Sequence, residues 1–358
     1  MNKESVMALL AEINDENSDR DLVSAGTVRE VGIHDDQVNV DIRLGYPLND
    51  QDGELTSLIK ARLESDPGIE KASVNIACKV VAHKVQEDLK PLESIANIIA
   101  VGSGKGGVGK STTAVNLALA LHHEGARVGL LDADIYGPSI PSMLGVKGQP
   151  STDGEKIIPK QAHGLKVMSI GFLVEEDTAM IWRGPMVTSA LQQLLGDTLW
   201  GPLDYLIIDL PPGTGDIQLT LAQRIPVAGA VIVTTPQDIA LLDARRAVHM
   251  FRKVDVPVLG VVENMSTHIC SACGHEEAIF GHGGGGRMAK DFDIPLLGQL
   301  PLAMEIRASL DEGKPTMMQS PDSLLAKSYR SLALRTTGEL SVKPRSMTLQ
   351  MPEIVIQN

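Results

Sequence analysis

The sequence predicts an α/β protein: a doubly wound, mostly parallel sheet built around a phosphate-binding loop, preceded by a small α/β domain. Three observations predict it. Short unbroken apolar runs (NIIAVGS, ARVGLLDAD, YLIIDLPP, GAVIVTTP, VPVLGVVENM, IPLLGQLP) alternate with helical stretches such as TSALQQLL and ALLDARRAVHMFRKV. Unbroken runs mark strands covered on both faces. A glycine-rich segment, GKGGVGKST, stands between the first run and a helix. Charge also divides the chain: residues 1–96 carry 19 acidic and 10 basic side chains, net −9, and the other 262 residues carry 26 and 22, net −4.

The elements follow in order. In residues 1–84, SVMALLAEIN has helical spacing, VREVGIHDDQVNVDIRLGYP reads as two strands around an Asp-Asp turn, GELTSLIKARLESDPG is an amphipathic helix and KASVNIACKVVAHK a closing strand. Residues 85–96, polar with a central proline, read as a linker. The large domain spans 97–340. Its first strand ends in the glycine loop, and STTAVNLALALHHEG follows as a helix capped near Gly125. Residues 341–358 read as a tail.

Composition narrows the function. A net charge of −13 argues against nucleic acid or an anionic membrane as obligatory partner. The N-terminus lacks the pattern of a signal peptide, and no run reaches the roughly 18 apolar residues of a membrane span. Three cysteines make no disulfide framework, so a reducing, cytoplasmic location is expected.

Gly104–Thr112 fits G-x-x-x-x-G-K-[ST] in the strand–loop–helix context that gives the pattern its meaning. Gly104, Lys105, Gly106, Gly107, Val108, Gly109, Lys110, Ser111 and Thr112 should cradle ATP with backbone amides at a helix N-terminus. Lys110 should reach the β- and γ-phosphates, and the Ser111 hydroxyl should ligate Mg²⁺.

HICSACGHEEAIFGHGGGG holds Cys270 and Cys273, two thiols at metal-gripping spacing. A cluster or an all-thiolate site wants about four ligands. The third cysteine, Cys78, lies in a strand run and reads as a buried small apolar residue. Three readings stand. Two copies of the chain could pool their cysteines around one bridging 4Fe–4S cluster. Cys270, Cys273, His275 and His282 could hold Zn²⁺ within one chain, with His268 nearby. The pair could be a redox dithiol or structural. Gly283–Gly286 reads as a flexible hinge for the cysteine loop.

Lys105 inside the loop gives K-G-G-x-G-K-[ST], which resembles the deviant Walker A of the MinD, nitrogenase iron protein and ArsA class of ATPases. That resemblance implies a homodimer whose two nucleotide sites face each other, with Lys105 reaching the partner's phosphates. It implies Asp134, in LLDADIYGPS, as the residue that orients the attacking water, with Asp132 behind it or closing the strand. Asp209, in YLIIDLPPGTGD, would hold Mg²⁺ through water, and PPGTGD would move when the γ-phosphate leaves. Asn264 would read adenine. Together with WRGPM and ENMSTHICSACGHEEAIFG, these segments resemble, over residues 97–335, the Mrp/ApbC family of iron–sulfur cluster carrier ATPases. The first domain is similar to the small acidic domain of iron–sulfur assembly factors. The resemblance implies slow ATP hydrolysis that switches the dimer and transfer of the bridging cluster to apo iron–sulfur proteins. A zinc-stabilised, MinD-like recruitment or positioning ATPase is the alternative.

Overall fold

The structure, a computed structural model, describes residues 2–50, 53–173, 184–270 and 272–346. Trp182 and Arg183 of the WRGPM segment, and residues 347–358 of the tail, lie outside the described residues.

The N-terminal unit is a three-stranded sheet with helices packed on one face. Helix α1 (Lys3–Leu10) precedes β1 (Val28–His34) and β2 (Gln37–Leu44), an antiparallel pair turning at Asp35–Asp36. Helix α2 (Glu54–Glu64) then crosses over to β3 (Lys71–Cys78), parallel to β2. Strand β2 alternates strictly, burying Val38, Val40, Ile42 and Leu44. Those side chains meet Val6 and Leu10 of α1 and Ile59 and Leu63 of α2. A short pairing of Asn14–Asp15 with Arg20–Asp21, which the sequence did not signal, ties down the α1–β1 connection. Cys78 is exposed, correcting the expectation that it is buried: it ends β3 at the sheet margin, with its thiol turned toward the Leu48 carbonyl at 3.6 Å.

The large domain opens with β4 (Ile95–Gly102), two residues earlier than Asn97, because Ile95 pairs with Leu203. After it come α3 (Lys110–His123), β5 (Val128–Asp132), β6 (Lys160–Ala162), β7 (Leu165–Ser169), α4 (Gly184–Gly196) and β8 (Leu203–Asp209). Next are α5 (Asp216–Arg224), β9 (Gly229–Thr234), α6 (Asp238–Lys253) and β10 (Val258–Ile269). The chain finishes with β11 (Glu276–Glu277), α7 (Gly284–Phe292), β12 (Leu296–Leu302), α8 (Met304–Asp311), α9 (Thr316–Gln319) and α10 (Leu324–Ser341). The sheet order is β6-β7-β5-β8-β4-β9-β10-β11, with β12 on β10. All pairs are parallel except β6–β7 and β10–β11. One face buries α3 and α10; the other buries α4, α5, α6 and α7. This is the doubly wound architecture, and it gathers the carboxyl ends of β4, β5, β8 and β10 along one edge, where such sheets bind ligands.

The two units are fastened together. Glu124, the C-cap of α3, is buried and accepts from Asn49 N at 2.9 Å and from Arg330 Nε at 2.7 Å. Gly338 of α10 lies against Asn17, where a Cβ would come within 2.3 Å of its carbonyl oxygen. The linker is anchored as well. Gln86 is buried, donates to the carbonyls of Ala222 (2.7 Å) and Ile225 (3.2 Å), and accepts from Val227 N at 3.1 Å. Past α10 the chain returns to the segment just before the linker: Lys84 N donates to Pro344 O and Ser346 N to Ala82 O.

Candidate nucleotide site and cysteine hairpin

The loop after β4 is shaped by close backbone approach. A Cβ on Gly104 would sit 2.1 Å from the Asp243 carbonyl carbon of α6, and Gly107 and Gly109 hold φ of +80° and +82°. Such angles favour glycine. Gly109 is the N-cap of α3 and offers no side-chain cap, so the first amides of α3 face the loop with no side-chain acceptor. A helix start left this way is suited to an anion.

Lys110 is buried, and its ammonium lies 2.6 Å from Asp209 Oδ1, 3.5 Å from Asp134 Oδ2 and 3.3 Å from Ser111 Oγ. The structure thus brings together four of the expected residues: Lys110, Ser111, Asp134 and Asp209. Burial pushes the Asp209 and Asp134 carboxyls above their ordinary range, and the Lys110 ammonium opposes this. Asp132 is pushed up to about 7, by burial first and by the Asp209 charge second. Among the described residues, the buried Asp209 Oδ2 and Asp134 Oδ1 have no hydrogen-bond partner. Unpartnered carboxylate oxygens next to a serine hydroxyl are hard donors of the kind Mg²⁺ takes, so these residues fit that ion. Lys105 is half-buried and, among the described residues, its ammonium has no ion-pair partner.

The second switch segment touches the loop directly: Gly213 N donates to Ser103 O at 2.9 Å. Asn264 was expected to read adenine. Its Nδ2 donates to the Val108 carbonyl at 2.9 Å, and the same nitrogen lies 2.1 Å from where a Cβ on Gly109 would stand. Here it acts on the loop itself, a role that spacing alone does not signal.

Strand β10 runs twelve residues, from Val258 through Asn264 to Ile269, and Cys270 follows at once. Its end folds back on β11 through His268–Glu277 and Ile269–Glu276, so Cys270 and Cys273 sit in the tip of a hairpin. Cys270 N donates to His275 O and Gly274 N to Cys270 O. Cys273 is exposed and Cys270 half-exposed, both as free thiols. The amides of Ala272 and Cys273 hold the Cys270 thiol below its usual range. Among the described residues no group of three or more Cys, His, Asp or Glu is gathered for a metal ion. The intrachain zinc set is therefore not assembled, and His268 is committed through Nδ1 to Leu302 O at 3.2 Å.

The glycine run is not a hinge. Gly284–Gly286 form the first turn of α7, and Gly284 and Gly285 are buried. A Cβ on Gly284 would lie 2.6 Å from Leu241 Cδ1, and one on Gly285 2.8 Å from Glu263 Cβ. Glu263, fully buried, accepts from Gly285 N and from Gln299 Nε2. The glycines let α7 close against β10.

A glycine loop with a second lysine, two acidic switch strands and a doubly wound sheet define a P-loop NTPase of the MinD-like fold. Its sheet resembles that of the cell-division ATPase MinD of Pyrococcus furiosus, at 24% identity over 67% of this chain and 97% of that one, TM-score 0.50. Residues 94–337 match the model of the NUBPL iron-transfer P-loop NTPases, and the chain belongs to that family. Residues 3–76 match the iron–sulfur cluster assembly protein family. An iron–sulfur cluster carrier protein of Pseudomonas fragi is 57% identical over 78% of this chain and 99% of its own. That of Escherichia coli is 50% identical over 94% and 91%. A nucleotide-binding protein of Archaeoglobus fulgidus, solved with ADP, is 38% identical over 66% of this chain and 96% of its own, TM-score 0.57. No helix among the described residues is long and apolar enough to cross a membrane.

Proposed function

We propose that this protein is an ATP-dependent carrier of a 4Fe–4S cluster, held between two copies of the chain and handed to apo iron–sulfur proteins. The observation that carries the reading is strand β10. It grips the phosphate loop through Asn264 and ends, five residues later, at the cysteine hairpin, so a shift of the loop has a direct path to the thiols. Each chain brings two free thiols, Cys273 exposed and Cys270 half-exposed, to a cargo that wants about four ligands, and a homodimer completes the set. The carrier names of the relatives support the same cargo.

Within this reading Gly104–Thr112 hold ATP, Lys110 meets the β- and γ-phosphates, and Lys105 reaches the partner's nucleotide. Ser111 and Asp209 would hold Mg²⁺, which offsets phosphate charge. Asp134 orients the attacking water, and Asn264 both fixes the loop and leaves its carbonyl oxygen for adenine. Hydrolysis is slow and acts as a switch on dimer closure. Residues 1–84 and the large domain from Ile95 onward are the two working units, joined by the segment before Ile95, and the site of action is the cytoplasm.

The test is anaerobic reconstitution with iron and sulfide, for wild type and Cys270→Ala. A broad band near about 400 nm at about two irons per chain, lost in the variant, supports one cluster per dimer. One tightly held zinc per chain with no iron uptake would instead favour the zinc-stabilised recruitment ATPase.

A further inference from the structure

Asp132 is a fully buried acidic side chain and, among the described residues, forms no ion pair. It closes β5 beside Asp209, its register partner on β8. Its three hydrogen bonds have a specific geometry. Oδ1 accepts from Asp134 N at 3.1 Å, and Oδ2 accepts from Ile140 N at 3.2 Å and Ser169 Oγ at 3.1 Å. One side chain therefore closes both ends of the segment Asp134–Ile140 and fastens it to the end of β7. Ile135 and Ile140 anchor the segment in the core, whereas Tyr136 between them is 63% exposed, so the two hydrogen-bonded ends rather than the middle of the loop fix its course. The Asp134 carboxylate in turn faces the Tyr136 and Gly137 amides and the Lys110 ammonium.

Burying a carboxylate away from any cation is costly. An amide would be cheaper to bury but has one acceptor oxygen, and the two loop ends need acceptors on opposite sides of the group. The cost is explained if both acceptors are needed at once.

We propose that Asp132 is a positioning residue for ATP hydrolysis: by accepting from both ends of the Asp134–Ile140 loop it fixes where Asp134 stands, and so sets turnover without setting nucleotide affinity. This rests on Asp134 as the water-orienting residue. Asp132 acts through Asp134, since its own hydrogen bonds go to Asp134 N, Ile140 N and Ser169 Oγ.

The experiment is steady-state hydrolysis of Mg-ATP by the full chain, with equilibrium binding of a fluorescent ADP and a melting curve for each variant. Asp132→Asn should lower kcat by about 10-fold or more while KM and ADP affinity stay within about 2-fold, as a small misplacement of a reacting group does. Asp132→Asn combined with Asp134→Asn should be no slower than Asp134→Asn alone, because the first residue acts through the second. Wild-type kcat in Asp132→Asn, or a double variant slowed by the product of the single effects, overturns the proposal. Should Asp134→Asn keep wild-type kcat while Asp132→Asn is slow, the water-orienting reading fails and so does this route through it. If Asp132→Asn does not fold, Asp132→Glu decides, since it keeps the acid and both acceptor oxygens but moves them off the loop-end amides. A kcat lowered about 2-fold or more at unchanged KM supports the proposal, and an unchanged kcat overturns it.

Discussion

Lys110 Nζ lies 2.6 Å from Asp209 Oδ1, a buried ammonium against a buried carboxylate, with Asp134 Oδ2 at 3.5 Å. The lysine that meets phosphate is thus also the cation holding two acidic side chains in the interior. Removing it does more than weaken ATP binding. Lys110→Ala leaves Asp209 and Asp134 buried without a counter-charge, a change that costs about 3–5 kcal/mol. The variant should melt well below wild type without nucleotide and gain no stability from Mg-ATP. A variant as stable as wild type, measured by urea unfolding, would mean the pair is not a structural one.

The cysteines should differ in reactivity. Hydrogen bonds from the Ala272 and Cys273 amides lower the Cys270 thiol, whereas Cys78, an exposed residue whose sulfur is partly desolvated where it turns toward the Leu48 carbonyl, is raised. A lowered thiol becomes thiolate at lower pH, and the thiolate is the species that alkylates and binds iron. Iodoacetamide labelling followed by peptide mass analysis should therefore reach half-maximal rate at a lower pH for Cys270 than for Cys78. Coincident profiles, or the reverse order, would contradict the hairpin geometry.

The glycine run of α7 should behave as packing. Gly285→Ala places a methyl 2.8 Å from Glu263 Cβ, on a carboxylate that also holds the α7 N-terminus. Overpacking of this kind costs about 1–3 kcal/mol. Urea unfolding should show that loss, whereas Gly283→Ala, which meets only the Arg287 guanidinium at 3.7 Å, changes its surroundings less but strains a φ of +68°. Equal stability of Gly285→Ala and wild type would restore the hinge reading.

What was legible follows a pattern. The strands of the large domain could be read because both faces are covered, which leaves unbroken apolar runs, and the phosphate loop because its glycines and lysines are contiguous. Contiguity also revealed the paired cysteines. What could not be read depends on what stands opposite in space. Asn264 facing the Val108 carbonyl, Gly285 against Glu263 and Gln86 on the end of α5 join residues far apart in the chain. Four successive glycines look like freedom in a sequence; here three begin a helix that needs room against a strand. Cys78 misled for a related reason, since its strand run is apolar enough to look interior while its own place is at the sheet margin. A polar linker gives no hint that its glutamine will be buried and bonded three ways.

The same tether carries a pH dependence. His83 is buried where the N-terminal unit joins β4. Asn97 Oδ1 accepts from His83 N and lies 3.0 Å from His83 Nδ1, so Nδ1 carries the proton and donates. Among the described residues the buried Nε2 has no hydrogen-bond partner at bonding distance, although the Ser341 backbone is near enough to oppose the effect of burial. Burial lowers this histidine first, with Arg345 adding to the effect and the Asn97 hydrogen bond opposing it. The folded form therefore resists protonation more than the unfolded chain does. Its stability contribution is complete above the unfolded value of about 6.5 and is lost as pH falls from there toward the lower folded value. The stability difference between wild type and His83→Gln should shrink from pH 7.5 to 5.5 (both about, chosen to bracket that value), because Asp132, pushed up to about 7, titrates with the opposite sign in both proteins and cancels in the difference. Unfolding measured across the window in both proteins decides it. Parallel curves would mean that His83 titrates alike in the folded and unfolded chain, and that the clasp between the two units does not sense protons.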